Sequence, residues 1–149
     1  MANQDNSRHV RDVMTANPET VSDGDSIRDV ARIMKDSDTG VVPVVDGRKI
    51  IGLITDRDIV VRGVAEGRDI ETLRVNEIMT KSVRSVREDA TVNDALQMMS
   101  SADIRRIAVV NSNDELVGIV SIGDISTNTN ADGKVGKALE SISEAPPNN

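Results

Sequence analysis

The chain repeats itself, and no other feature limits its fold as strongly. VRDVMT at residues 10–15 returns as VNEIMT at residues 75–80, with Met14 and Met79 separated by 65 residues. TVSDGDSIRDVARIM (20–34) returns as SVREDATVNDALQMM (85–99) in the same register, and VVPVV (41–45) returns as RIAVV (106–110). After one extra residue in the second turn, GLITDRDI (52–59) returns as GIVSIGDI (118–125). Self-similarity over most of both halves marks a duplicated supersecondary unit. A unit this short buries too small a fraction of its surface to be stable alone, so the two are expected to pack face to face.

Each half parses in the same way. VRDVM and VNEIM predict short helical turns, followed by a polar or Pro18-containing loop and a short extended segment, Thr20–Val21 or Ser85–Val86. Ser26-x-x-Asp29 and Thr91-x-x-Asp94 carry the hydroxyl-then-acid signature of a helix start. Behind them Ile27, Val30, Ala31 and Met34 fall at i, i+3, i+4, i+7, and Val92, Ala95, Leu96 and Met99 repeat that stripe. β-Branched runs at 41–45 and 50–55, and at 107–110 and 116–121, flank Asp46-Gly47 and the Asn111–Asp114 cluster, which predicts two hairpins. A further helix starts near Asp56, carries Ile59, Val60 and Val64, and stops at Gly67. The unit is β-α-β-β-α, an α/β (α+β) architecture. Residues 62–74 connect the halves. A last stripe at Val135, Ala138, Leu139 and Ile142 predicts a C-terminal helix before a frayed tail. The division expected from the pattern is 1–68 for the first repeat with its N-terminal helix, 69–128 for the second repeat, and 129–149 for the helix and tail.

Composition removes several function classes. The chain holds no Cys and one His, His9, which leaves no thiol chemistry, no thiolate metal site and no His-based triad; no catalytic residue and no metal ligand is assigned. Phe, Tyr and Trp are absent and the net charge is −7, so single-stranded nucleic acid, which needs stacking rings and clustered cations, is disfavoured. No apolar run approaches the roughly 20 residues of a membrane helix, and the polar opening lacks a signal-peptide core. The chain reads as soluble and cytoplasmic. Met14, Met34, Met79, Met98 and Met99 fit core packing better than a ligand box.

The pattern VxDVMT, TVxxxxSIxDVxxIM, GVVPVVD and GLITDRDI, present in two registers over about residues 10–126, resembles a CBS-domain pair, or Bateman module. In form the chain is similar to small stand-alone bacterial CBS-pair proteins of the hypoxic-response kind. The resemblance implies tandem CBS repeats packed with pseudo-twofold symmetry through their sheets, with clefts that hold AMP, ADP, ATP, NAD species or S-adenosylmethionine. It also implies a homodimer and an unknown regulated protein partner. The ribose motif Gly-apolar-x-Ser/Thr-x-x-Asp falls on Gly52, Thr55 and Asp58, and on Gly118, Ser121 and Asp124. The base-contacting segments fall on Thr20, Val21, Val41, Val42 and Pro43, and on Ser85, Val86, Arg106, Ile107 and Ala108.

The motif also admits a physical reading of its own. A first-turn carboxylate can accept both hydrogens of a ribose cis-diol, and Arg57 offers a donor fork suited to phosphate. Yet Thr55-x-x-Asp58 and Ser121-x-x-Asp124 are themselves cap signatures, worth about 1 kcal/mol without any ligand. Both readings stand if the hydroxyl caps while the carboxylate faces a ligand. The copies are unequal, because Asp56-Arg57 becomes Ile122-Gly123, leaving Arg105 and Arg106 as the guanidinium groups of the second copy or as solvated loop charge. The function expected is an adenosine-ligand sensor, with a ligand-independent dimeric scaffold or protein-interaction module as the alternative.

Overall fold

A computed structural model of the chain describes residues 8–128. The expected C-terminal helix over Val135–Ile142 and the tail lie outside the described residues. The fold is α+β, and its described residues divide into two compact units, one of residues 18–83 and one of residues 8–17 with 84–128.

In the 18–83 unit, α1 (Ile27–Ser37) starts where the Ser26 hydroxyl accepts the Asp29 N–H at 3.1 Å. It ends on Asp38, whose left-handed φ of 51° stands where glycine is usual. The hairpin of β2 (Val41–Asp46) and β3 (Lys49–Thr55) turns at Gly47, φ 66°. Val21 adds a parallel bridge to Val44 on one side of the hairpin, and Thr80 adds an antiparallel bridge to Leu53 on the other. Val21, Ile27, Val30, Val42, Val44, Ile54, Leu73, Val75, Ile78 and Met79 form the core. Two details depart from the periodicity. Ala31 is exposed, because the face packed on this core runs through Ile27, Val30, Ile33 and Met34. The helix that starts at Asp56 is α-helical only over α2 (Asp56–Asp58) and then widens over Ile59–Val64, with Ala65 N–H bonded to Val60 O at 2.8 Å, five residues back. The wider turn aims Gly63, not Val60 or Val64, at the core: a Cβ there would meet Leu73 at 3.1 Å. After it, α3 (Val75–Ile78) leads to Met79–Thr80.

The other unit repeats this plan. A tight turn at Val10–Asp12 leads to β1 (Thr15–Ala16), and the sheet runs β1, β6 (Leu116–Ser121), β5 (Arg106–Val110), β4 (Ser85–Arg87). β4 is parallel to β5 and the other pairs are antiparallel. α4 (Val92–Ala102) carries a reciprocal cap between Thr91 and Asp94 and buries the whole expected stripe of Val92, Ala95, Leu96 and Met99. α5 (Ile122–Asn128) follows β6. The five methionines singled out above pack as core: Met79 and Met99 are buried, and Met14, Met34 and Met98 lie half-buried against the two cores.

The N-terminal VRDVMT segment thus pairs with the sheet of the second repeat, and VNEIMT pairs with the sheet of the first. The compact units follow these contacts, whereas the division expected from the sequence follows the repeat. The crossing explains the repeated glycine. A Cβ on Gly118 would overlap the Met14 sulfur and come within 2.9 Å of Thr15 O, and one on Gly52 would come within 2.9 Å of Thr80 O and 3.1 Å of Met79 Sδ. Gly52→Ala and Gly118→Ala are each expected to cost about 1–3 kcal/mol in urea denaturation. Gly24→Ala, where nothing lies within 4 Å of an added Cβ, is expected to stay within about 0.5 kcal/mol.

Candidate functional site

The end of β3 is where the first repeat gathers its polar groups. Thr55 and Asp58 are buried, and they are the buried polar residues of the described chain. Asp58 N–H bonds to Thr55 Oγ1, and Thr55 N–H bonds back to Asp58 Oδ2, both at 3.0 Å. The reciprocal cap expected from the spacing is therefore formed. Two further partners come from elsewhere. The Thr80 hydroxyl donates to both Asp58 oxygens at 3.3 Å. Arg62 stands 3.8 Å from Asp58 Oδ1 and donates to the carbonyls of Ile78 at 3.2 Å and Met79 at 3.3 Å. Neither partner was expected from the sequence; the repeated threonine of VMT and IMT was the signal for Thr80.

The remaining residues expected in this half fall around the same strand end. Val41 pairs directly across from Thr55, and Pro43 across from Leu53. Val21 N–H bonds to Pro43 O at 3.0 Å, so Thr20 and Val21 run beside β2. The side chains of Val21 and Val42 belong to the core, which leaves their backbone as the part a ligand edge could meet. Arg57 is exposed, and its N–H bonds to Asp56 Oδ1 at 2.8 Å.

The second repeat has the same frame with different side chains. Asp124 N–H bonds to Ser121 Oγ, and Ser121 N–H to Asp124 Oδ2, both at 3.0 Å, with both residues half-buried rather than buried. Arg106 occupies the place of Val41, directly across from Ser121. Ser85 pairs with Ala108, and Val86 and Ile107 join the core. A carboxylate offers about four lone-pair positions, so one that closes a cap keeps acceptor capacity for a diol. Asp58 has spent more of that capacity than the cap alone requires. Among the described residues no group of three or more His, Cys, Asp or Glu is placed to hold a metal ion.

The CBS domain model matches residues 10–64 and 75–128, once for each repeat. The chain belongs to the CBS-domain family. The CBS domain-containing protein YhcV of Bacillus subtilis is 40% identical over 134 residues, 90% of this chain and 94% of that protein. Hypoxic response protein 1 of Mycobacterium tuberculosis is 34% identical over 117 residues, 78% of this chain and 81% of that one. The CBS domain pair of protein MJ0100, solved in complex with 5′-methylthioadenosine and S-adenosyl-L-methionine, superposes with a TM-score of 0.72 at 31% identity over 81% of this chain and 94% of that one. No helix among the described residues is long and apolar enough to cross a membrane.

The difference between the two CBS carboxylates has a measurable consequence. Asp58→Ala removes a cap at a buried position, leaves the Thr80 hydroxyl without its acceptor and Arg62 without its ion-pair partner, and is expected to cost about 2–3 kcal/mol; Asp124→Ala, at a half-buried position, is expected to cost less. Chemical denaturation of the two variants gives the order.

Proposed function

We propose that this CBS pair is a regulatory sensor that binds an adenosine-containing ligand (AMP, ADP, ATP, an NAD species or S-adenosylmethionine) and thereby changes how it meets a protein partner. The observation that carries this reading is the duplicated placement of a hydroxyl and a carboxylate at a strand end, Thr55 with Asp58 and Ser121 with Asp124. In each repeat the neighbouring strand brings backbone and a small side chain alongside, Pro43 in one and Ala108 in the other. A cis-diol needs an anchored acceptor of this kind, and an adenine can be read by backbone groups without aromatic stacking. The adenosine ligands of the MJ0100 pair support the class. In this reading the protein binds rather than converts its ligand, acts in the cytoplasm, and requires no cofactor or metal. Isothermal titration with AMP, ATP, NADH and S-adenosylmethionine is expected to show binding at micromolar affinity. The Asp58→Asn/Asp124→Asn protein is expected to lose roughly tenfold or more, the range of hydrogen bonds to a charged acceptor. Unchanged binding in that variant sinks the assignment.

One observation bears on the homodimer that a second reading, a ligand-independent scaffold or protein-interaction module, requires. Val60, Val61 and Val64 on the widened helix are 56%, 42% and 57% exposed, the large apolar side chains left in solvent among the described residues. A homodimer that covers them fits either reading. Val60→Asp/Val64→Asp is expected to shift a dimer to monomer in sedimentation equilibrium without unfolding it; a dimer that persists rejects this surface.

A further inference from the structure

The two repeats differ in charge at equivalent places around the strand end: one acid and two neutral residues in the first stand where the second has three arginines. Glu19, Gly40 and Val41 of the first become Arg84, Arg105 and Arg106 of the second, at the same spacing of 65 residues that relates Met14 to Met79. The backbone holds these positions in one frame. Asp56 N–H bonds to Gly40 O at 3.0 Å, and Ile122 N–H bonds to Arg105 O at 3.0 Å. Val41 pairs across from Thr55, and Arg106 across from Ser121. Arg84 is anchored on the neighbouring lane, where its carbonyl accepts the Ala108 N–H at 3.1 Å.

The surroundings sharpen the contrast. In the first repeat the acids are Glu19, Asp56 and Asp58; Glu19 accepts the Ser37 hydroxyl at 2.7 Å, Arg57 is exposed, and Arg62 is committed to Asp58 and two carbonyls. In the second, Ile122 and Gly123 replace Asp56 and Arg57, so Asp124 is the only acid of its motif. Among the described residues, none of Arg84, Arg105 and Arg106 forms an ion pair. A chain with a net charge of −7 repels polyanions in general. Three arginines on the backbone lanes beside Ser121 reverse that locally, and their donor forks match phosphate oxygens.

Resting on the adenosine-binding reading above, we propose that the Ser121–Asp124 site selects ligands that carry a 5′-di- or triphosphate, with Arg84, Arg105 and Arg106 as its specificity-determining residues. The Thr55–Asp58 site, with its excess of acids, takes ligands whose 5′ substituent is neutral or cationic.

The test titrates the full chain with ATP, AMP and uncharged 5′-methylthioadenosine at two salt concentrations. ATP is expected to bind one site more tightly than AMP, with a marked loss at high salt, and that site is expected to disappear in Asp124→Ala but not in Asp58→Ala. Arg84→Gln/Arg105→Gln/Arg106→Gln is expected to weaken ATP by at least roughly tenfold, since hydrogen bonds to a charged group are being removed. Binding of 5′-methylthioadenosine to the Thr55–Asp58 site, which the substitutions do not touch, is expected to stay within twofold, which also shows that the variant is folded. Arg105→Gln alone, at an exposed position, is expected to give a smaller loss in the same direction. Competition by inorganic tripolyphosphate against ATP, without effect on 5′-methylthioadenosine, assigns the contact to the phosphate chain. An ATP affinity unchanged in the triple variant, or an ATP preference that resides in the Asp58 site, overturns the charge assignment while adenosine binding stands. No binding of any of the three compounds to the wild-type chain overturns both.

Discussion

The backbone exchange between Leu53 and Thr80, at 2.9 and 2.8 Å, and its counterpart between β1 and β6, is the contact on which each unit depends. It requires a residue without a side chain at 52 and 118, because the incoming Met–Thr segment lies where a Cβ would stand. It also delivers the Thr80 hydroxyl to Asp58 and brings the Ile78 and Met79 carbonyls under Arg62. The glycine of the Gly-x-x-hydroxyl-x-x-Asp motif is thus explained by a crossing chain, and the hydroxyl and carboxylate by a helix cap. Only what those atoms have left over is available to a ligand.

Cap chemistry and diol chemistry use the same atoms, which is why the motif could not be resolved from spacing. The structure separates the two copies by degree. Asp58 is enclosed, with a hydroxyl and a guanidinium added to its cap, whereas Asp124 is half-buried. An enclosed acceptor is better placed for a ligand than a half-buried one only if a ligand can displace one of its partners. The weakest of these by distance is the ion pair with Arg62 at 3.8 Å.

Much of the fold was legible because it is local. The caps at Ser26, Thr91, Thr55 and Ser121, the turn at Gly47 and the stripe of α4 each depend on residues within one turn or one hairpin, and each formed as spacing predicted. Two features were not legible. The Met–Thr segments are alike in both copies, so nothing in either says which sheet it will join; that choice is made by contacts far apart in sequence. The widening of the helix after Asp58 depends on Gly63 seating against Leu73, a residue of the connection between repeats. A 3.6-residue period therefore placed Val60 and Val64 on a packed face, and the five-back bonding turns them out. At the site, Thr55 and Asp58 were visible from their spacing, while Arg62 and Thr80 reach them only through the tertiary fold.

The crossing puts the frame in which the chain was duplicated out of phase with the frame in which it folds. The 18–83 unit is complete soon after Thr80 leaves the ribosome. Residues 10–16 emerge earlier still, yet their partner β6 is made about a hundred residues later, a separation that slows pairing. Once β6 has formed, it keeps an open edge until that waiting segment arrives, and an extended stretch of another chain can add to it in the interval. A segment made early thus closes the edge of a strand made late.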